Sequence, residues 1–502
     1  MLSNDWENFA ARMAEVRDLG NAVALLSWDQ ETHMPKKGMT ARAEQLATLQ
    51  GLHHERIVDT AVGDLIAKLE SNGSLSELQS CALREFKFDR DRATKVPVDL
   101  VKEIARVQAS ALSAWGEARK VRDFRLFAPE LTRLLELRRA MADAYGAPPG
   151  GERYDALLEG HEKGMRVARL VPLFESLCDW LVPAIQKISA APTPRSDFLE
   201  GQFDADRQWQ FTLELLEAMG FDMQAGRQDR SVHPFTTSFD PEDVRITTRI
   251  FDNLPLSSVF SSIHEAGHAL YEQGLPAEHR RSVLCSATSM GLHESQSRLW
   301  ENLVGRSQQF WTAFLPRYRQ LFPERLGDVS PDAFVAAVNR VEQSPIRVEA
   351  DEVTYNLHIF IRFELELQLL RGELQVSDLA AAWNERYRRL LGIHVSDDTQ
   401  GVLQDIHWAW GEFGYFPTYT IGNLYSASLF EAALRSIPDL MSFIEQGRLL
   451  PLRDWLKTHV HRFGRIYEAE QIVQKATGIG LNAADFIAYL TRKYQALYAI
   501  RF

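Results

Sequence analysis

The sequence predicts a mainly α-helical fold with one small antiparallel β-hairpin. Apolar residues recur at three- and four-residue spacing through most of the 502-residue chain, which is the period of amphipathic helices. Prolines and glycines separate these stretches, and only one region has the Thr-, Val-, Ile- and Phe-rich composition of strands. Strand and helix patterns do not alternate, so no doubly wound parallel sheet is expected.

The N-terminal part is predicted to form a series of long amphipathic helices. These cover Asn4–Ala24, Thr40–Ser71, Ser76–Thr94, Val98–Lys120 and Pro129–Tyr145, with joints at Pro35, Gly38, Gly73 and Pro97. The clearest linker follows at Ala147–Gly151, with the sequence APPGG. Helical patterns resume beyond it, at Arg166–Ser189 and Asp204–Met219. We therefore expect one helical domain over residues 1–502, with 147–151 as the place where it could divide.

The strand-like region consists of Ser231–Phe239 and Asp243–Phe251, joined by an Asp-Pro-Glu turn. This hairpin immediately precedes the most informative helix of the chain. A strand in that position either aligns an extended peptide through main-chain hydrogen bonds or serves as a structural ribbon.

That helix, Ser257–Gly274, contains His264, Glu265 and His268 in the pattern H-E-x-x-H. Residues four apart lie on one face of a helix, so the two imidazoles can bind one metal ion. Glu265 lies beside them and can reach a metal-bound water, which is the arrangement of a metallopeptidase base. Ser257 and Ser258 are candidate N-caps, and Gly274 and Pro276 end the helix.

A catalytic zinc site with two histidines needs a third protein ligand. Glu294, on the next predicted helix, is the candidate, and its alternative role is that of a solvated surface acid. Other acids in range are Glu272, Glu278 and Glu301, of which Glu272 shares the face of the two histidines.

The rest of the chain returns to helix. Predicted helices cover Leu292–Val304, Gln308–Leu321, Pro331–Val341, Asp351–Arg371 and Val376–Leu391, and further helices follow the aromatic loop Gly411–Tyr419.

Composition limits the partners and the compartment. A net charge of −12 without a basic tract argues against nucleic-acid binding. The chain shows neither a signal-peptide pattern at its start nor an apolar run of about 18 residues, so membrane association is not expected. Cys81, Cys178 and Cys285 are odd in number and far apart, which is typical of free thiols in a reducing cytoplasm.

Six motifs together resemble the carboxypeptidase Taq family of metallocarboxypeptidases. They are His233-Pro234-Phe235, Asp243–Thr247 (D-x-R-x-T), His264–His268, His293-Glu294-Ser295-Gln296, Ile346–Asp351 (I-R-x-x-A-D) and Gly401–Trp408 (G-x-x-Q-D-x-H-W). The resemblance implies an almost all-helical fold around a long, deep substrate groove, in a homodimer. It also implies broad removal of single C-terminal residues from peptides, with poor action next to proline.

The same resemblance implies one divalent metal ion per chain, held by His264, His268 and Glu294, with Glu265 as the base. Zinc is the metal expected first, and cobalt or manganese can serve. The alternatives are a helical endo-oligopeptidase or dipeptidyl carboxypeptidase with the same ligands, and a non-catalytic scaffold with a structural zinc.

A carboxypeptidase must bind the free C-terminal carboxylate, which arginine does best through its planar fork. Arg347 is the first candidate, and its alternative is a structural ion pair with Asp351. His407 is either a second substrate contact or a core histidine. The donor to the oxyanion is sought among Tyr415, Tyr419 and His407, with Tyr419 favoured.

Overall fold

The computed structural model describes residues 2–71 and 74–502, so the joint expected at Gly73 lies outside the described residues. The first part of the chain forms α1 (Leu2–Thr32), α2 (Met39–Val58), α3 (Thr60–Ser71), α4 (Glu77–Lys95), α5 (Val98–Val121) and α6 (Ala128–Tyr145). The predicted helix Thr40–Ser71 is divided in two at Asp59, because the Asp59 carboxylate accepts a hydrogen bond from Ala61 N at 2.9 Å and starts a new helix.

The middle part contains α7 (Arg153–Leu158), α8 (Val167–Ser189), α9 (Ala205–Met219), β1 (Gly226–Arg230), β2 (Thr236–Asp240), β3 (Asp243–Thr248), α10 (Pro255–Gln273) and α11 (Met290–Arg298). A π-helical segment, Leu299–Val304, directly continues α11. Predicted and observed bounds of α8 and α9 differ by one residue at the start.

The last part contains α12 (Gln308–Leu321), α13 (Pro323–Leu326), α14 (Pro331–Val338), α15 (Tyr355–Arg371), α16 (Leu379–Leu391), α17 (Pro417–Ser436), α18 (Leu440–Glu445), α19 (Leu450–His459), α20 (Ala469–Thr477) and α21 (Ala484–Tyr498). The predicted end of the aromatic loop is wrong, because α17 begins at Pro417 and Tyr419 already lies in its first turn.

The sheet has three strands in the order β1-β3-β2. The predicted hairpin is confirmed, since β2 and β3 pair antiparallel with an irregularity between Ser238 and Asp240. The sequence analysis missed β1, which pairs parallel with β3 and makes the sheet mixed. Its sequence, GRQDR, lacks the β-branched and aromatic residues that mark strands. The mainly α-helical class is confirmed, and the sheet lies beside the H-E-x-x-H helix.

The buried apolar residues form two clusters. The larger one extends from α5 to the C-terminus and includes residues of α6 and α7, on both sides of the 147–151 linker. The smaller one lies among α1–α4 and includes Phe9, Ile66 and Phe86. Among the residues that the structure describes, every helix falls short of the length and apolar character that a bilayer-spanning segment needs.

Candidate active site

Helix α10 packs one face into the larger apolar cluster and carries the two histidines on the opposite face. Val259, Ile263, Ala266 and Leu270 are buried in the larger apolar cluster. The predicted N-caps are wrong, because the helix already begins at Pro255 with no side-chain cap. The Ser258 hydroxyl is buried and instead donates to Gln208 Oε1 at 2.8 Å.

Helix α11 crosses α10 closely enough to bring Glu294 to the two histidines. The crossing depends on Gly267, since a Cβ atom there would lie 2.6 Å from the carbonyl oxygen of Gln296. Glu294 Oε2 is 3.8 Å from His264 Nε2 and 3.4 Å from His268 Nε2. Ligand atoms about 2.0 Å from a tetrahedral zinc are about 3.3 Å apart, so this donor set fits a divalent metal ion.

The other ring nitrogens are engaged in a way that leaves each Nε2 for a metal. His264 Nδ1 lies 2.8 Å from Glu301 Oε2, and His268 Nδ1 lies 2.5 Å from His293 Nδ1. His293 in turn bonds Glu272 Oε1 through its Nε2 at 2.8 Å. Such bonds select the tautomer and hold the plane of a ligating imidazole.

Glu294 is buried, at 7% exposure, so it is not a solvated surface acid. Arg298, one turn further on α11, donates to Glu294 Oε1 at 2.6 Å. Burial alone would raise the pKa of Glu294, but the charges of Arg298 and His264 lower it well below its usual range. Glu294 is therefore an anion at neutral pH, as a metal ligand must be.

Glu265 is also buried, at 6% exposure, but it has a different environment. Its Oε2 lies 2.7 Å from the hydroxyl of Thr236 on β2. Burial raises the pKa of Glu265, against the smaller opposing effect of His264. A carboxylate with a raised pKa accepts protons more readily, which suits a general base.

Arg347 pairs with Asp405 rather than with Asp351. Its Nε donates to Asp405 Oδ1 at 2.9 Å, and one of its terminal nitrogens donates to Tyr355 Oη at 2.9 Å. The predicted partner of that ion pair is wrong, because Asp351 instead accepts hydrogen bonds from the backbone N–H groups of Val353 and Thr354 and so caps the turn before α15.

Asp405 is shared with a second arginine. Arg362 Nε donates to Asp405 Oδ2 at 2.6 Å, and the Arg362 side chain is fully buried. Burial would raise the pKa of Asp405, but the two guanidinium groups hold it far below its usual range. Two cations and one anion leave this cluster with one excess positive charge.

Aromatic rings connect the arginine cluster with helix α11, which carries Glu294 and Arg298. The ring of Tyr355 lies between Arg298, at 4.4 Å, and Arg347, at 5.9 Å. Arg347 also lies 5.2 Å from the ring centre of Tyr419. His407 Nε2 is 3.2 Å from Tyr419 Oη.

The half-buried His407 is neutral, because its pKa is lowered to about 3. Burial is the larger cause, and the positive charge of Arg347 adds to it. The predicted substrate-side residues Arg347, His407 and Tyr419 thus form one network that reaches Glu294 through Tyr355 and Arg298.

Several residues of this network were not singled out from the sequence. Arg298 could have been found, since it lies four residues after Glu294 and opposite charges at that spacing attract. Thr236, Tyr355 and Arg362 carry no comparable local signal. Their positions depend on contacts between segments that are distant in sequence.

The chain is similar to known proteins over nearly its whole length. The profile of the carboxypeptidase Taq (M32) metallopeptidase family matches residues 8–494. Thermostable carboxypeptidase 1 of Thermus thermophilus is 45% identical, over 98% of this chain and 99% of the relative. Carboxypeptidase 1 of Bacillus subtilis is 36% identical, over 98% and 99%.

A solved structure shows the same fold. The crystal structure of the M32 carboxypeptidase of Deinococcus radiodurans superposes with a TM-score of 0.96 at 39% identity, covering 99% of this chain and 100% of that one. The chain therefore belongs to the carboxypeptidase Taq (M32) family and is a metallocarboxypeptidase that uses a divalent metal ion.

Proposed function

We propose that this enzyme releases single amino acids from the C-terminus of peptides, with Glu265 as its general base. The observation that carries the proposal is the buried, positively charged cluster around Arg347, in one network with Glu294. An endopeptidase has no need of a buried excess cation at this place, whereas a free C-terminal carboxylate requires one.

We assign the metal-binding role to His264, His268 and Glu294. A divalent cation held there would polarise the scissile carbonyl and lower the pKa of water toward about 7. Glu265 takes the proton of the attacking water and passes it to the departing amine. Thr236, 2.7 Å from Glu265 Oε2, orients the carboxylate for this transfer.

Arg347 binds the carboxylate of the substrate in this proposal. Asp405 contacts Nε and one terminal nitrogen of the guanidinium group, and Tyr355 accepts a hydrogen bond from the other terminal nitrogen, so the guanidinium plane is held in place. That fixed orientation reduces the entropy lost when a substrate is bound. The neutral His407 and the hydroxyl of Tyr419 complete the pocket, and Tyr419 is our candidate donor to the oxyanion.

The family resemblance is the basis of our proposals for the metal, the specificity, the oligomeric state and the compartment. We propose zinc as the metal, because two imidazoles and one carboxylate are a common ligand set of catalytic zinc. We also propose broad specificity, poor cleavage next to proline, and a homodimer in the cytoplasm. The free state of Cys81, Cys178 and Cys285 suits a reducing compartment.

Timed mass spectrometry of one peptide in two forms tests the proposal. An unblocked peptide should give a ladder of products that differ by single C-terminal residues. Its C-terminally amidated copy should be stable, because Arg347 then lacks its anionic partner. Internal cuts or the release of dipeptides would show that the enzyme is an endo-oligopeptidase or a dipeptidyl carboxypeptidase instead.

The role of Glu265 is tested by Glu265→Gln. Turnover should fall by about a thousandfold, the order expected for loss of a general base, while the bound metal measured after gel filtration is unchanged. Glu278→Gln, on the exposed turn after α10, is the matched control and should keep full activity. Near-normal turnover in Glu265→Gln would refute the assignment.

A further inference from the structure

Helix α15 buries a row of polar side chains along one face. Tyr355, His358, Arg362 and Glu366 follow one another at spacings of three and four residues, and each is at most 4% exposed. Buried polar groups are retained when they have hydrogen-bond partners. The partners of this row therefore indicate what the helix supports.

The last two members of the row bind one irregular segment, residues 401–416, which carries His407 and Tyr415. Arg362 bonds Asp405 in this segment. Glu366 Oε1 accepts a hydrogen bond from Trp408 Nε1 at 2.8 Å, and Glu366 Oε2 accepts one from Gly414 N at 3.1 Å. The segment is thus attached to α15 on both sides of His407.

A third donor reaches Glu366 from another helix. Tyr154 of α7 donates its hydroxyl to Glu366 Oε2 at 2.9 Å. In residues 2–71 and 74–502 no lysine or arginine forms an ion pair with Glu366. Its role is therefore to accept three hydrogen bonds from N–H and O–H groups. Among the side chains, only a carboxylate has enough acceptor sites for this.

The backbone at Gly414 is held against α7 at the same point. Gly414 has φ +84°, and a Cβ atom there would lie 2.9 Å from Leu158 N. The segment therefore passes between α7 and α15 with little room, and Glu366 joins all three.

Of the residues that this attachment places, His407 belongs to the proposed substrate pocket and Tyr415 lies beside it. The rings of His407 and Tyr415 have centroids 5.6 Å apart, and Tyr415 and Tyr419 have centroids 5.4 Å apart. The half-buried side chains of His407 and Tyr415 lie on a segment without regular secondary structure, whereas Tyr419 lies on α17. Their geometry is set by the attachments of the segment, since no helix or strand hydrogen-bond ladder holds it.

We propose that Glu366 is a positioning residue, which holds segment 401–416 so that His407 and Tyr415 keep the geometry that binds the C-terminal residue of the peptide. The inference deepens the proposed function and rests on it, because that function assigns the pocket. The hydrogen bonds of Glu366 go to Tyr154, Trp408 and Gly414 and to neither His407 nor the proposed metal ligands, so its effect on catalysis passes through the segment.

Glu366→Gln is the informative change. The amide keeps the shape of the side chain, but its NH₂ group replaces one carboxylate oxygen. That NH₂ group then faces N–H or O–H donors whose hydrogen bonds the oxygen had accepted. Burial raises the pKa of Glu366 to about 7, so assays at pH 8 compare the ionised parent with the amide. Glu364→Gln, on the partly exposed face of the same helix, is the matched control.

Two measurements on the metal-loaded full-length enzyme test the inference. Amide hydrogen exchange across residues 401–416 should become at least tenfold faster in Glu366→Gln and stay unchanged in Glu364→Gln. KM for an unblocked peptide should rise at least fivefold, with kcat changed less than KM and with the metal content unchanged. Trp408→Phe removes one donor and should act in the same direction, and the double variant should be no worse than Glu366→Gln alone.

Unchanged exchange over 401–416 in a folded Glu366→Gln would overturn the inference, and so would an unchanged KM. If Glu366→Gln does not fold, the hydrogen exchange over 401–416 and the KM of Trp408→Phe decide instead. Absence of carboxypeptidase activity from the parent enzyme would instead defeat the proposed function. The exchange comparison would then still decide whether Glu366 holds the segment.

Discussion

At the scale of single residues, the partners of each buried carboxylate determine its chemistry. The carboxylates of Glu265, Glu294 and Glu301 all lie close enough to His264 to act on its charge. Glu294 is paired with Arg298 and is held as an anion, whereas Glu265 has a hydroxyl partner and a raised pKa. Glu301 bonds His264 and Arg306, so it orients a proposed ligand without being one.

Glu301→Gln should weaken metal binding by ten- to a hundredfold, because the imidazole of His264 loses the charged acceptor that selects its tautomer. Competition with a chromogenic chelator measures this affinity. Glu373→Gln, at an exposed position beyond α15, is the control and should bind metal like the parent. Equal affinities in the two variants would show that Glu301 does not orient His264.

Glu162 gives a pH-dependent prediction. It is 1% exposed, and its Oε2 accepts Gly291 N at the start of α11 at 2.9 Å. Burial raises the pKa of Glu162 from 4.5 to about 7. The folded state therefore binds a proton that the unfolded state has lost, and the stability from this group declines as pH rises from about 4.5 to 7.

Glu162→Gln cannot ionise and should not show this decline. Between pH 5 and pH 8 the parent should lose about 2 kcal/mol of unfolding free energy relative to the variant. Denaturant unfolding at both pH values, on metal-free protein, measures the difference. A pH-independent offset between the two proteins would contradict the raised pKa.

At the scale of elements, small residues set the distances between the helices of the site. Gly267 lets α10 approach the backbone of α11, and Gly422 on α17 faces Glu294, where a Cβ atom would lie 2.7 Å from Glu294 Cγ. Glu294, the proposed third ligand, is thus confined between two close helix contacts. A site built in this way is rigid and tolerates little added volume.

Gly267→Ala should separate α10 from α11, because the new methyl group meets the backbone and cannot be accommodated by a side-chain rotation. We expect a loss of about 1–3 kcal/mol in stability together with weaker metal binding, measured by thermal unfolding and chelator competition.

Gly116→Ala is the matched control in helix α5. A Cβ atom there meets nothing within 4 Å. It should stabilise the protein by up to about 1 kcal/mol, through its helix propensity. A Gly267→Ala protein as stable as this control would mean that the helices are not in close contact.

At the scale of the whole molecule, α1–α4 have their own apolar cluster, which also includes Leu284, and buried ion pairs connect α4 with the remainder. Arg465 bonds Asp89 at 2.7 Å and Glu85 at 3.3 Å, and Lys163 bonds Glu85 at 2.9 Å. The Glu85 side chain is only 5% exposed, so these ion pairs are poorly screened by solvent.

Arg465→Gln should loosen α1–α4 without altering the metal site. The free energy that opens α4 to hydrogen exchange should fall by about 1–3 kcal/mol, because Glu85 and Asp89 each lose a charged partner. Mass-resolved exchange over residues 77–95 measures it. The control is Arg462→Gln, an exposed arginine in the same turn; similar exchange in both variants would argue against a holding role for Arg465.

The sequence by itself determined the features that depend on local spacing. His264 and His268 share a helix face because of the helical period, and the bounds of α12 agree with its apolar pattern. The hairpin could be predicted from its composition, whereas the parallel partner β1 could not, since its sequence GRQDR lacks the β-branched and aromatic residues that mark strands.

Only the tertiary structure decided which distant groups meet. It turned Glu294 from a candidate acid into a neighbour of both histidines, and it paired Arg347 with Asp405 instead of the nearer Asp351. The physical reason is that helix geometry fixes contacts over a few residues, while contacts between helices depend on how closely their surfaces pack. Here that packing depends on Gly267 and on the attachments of segment 401–416.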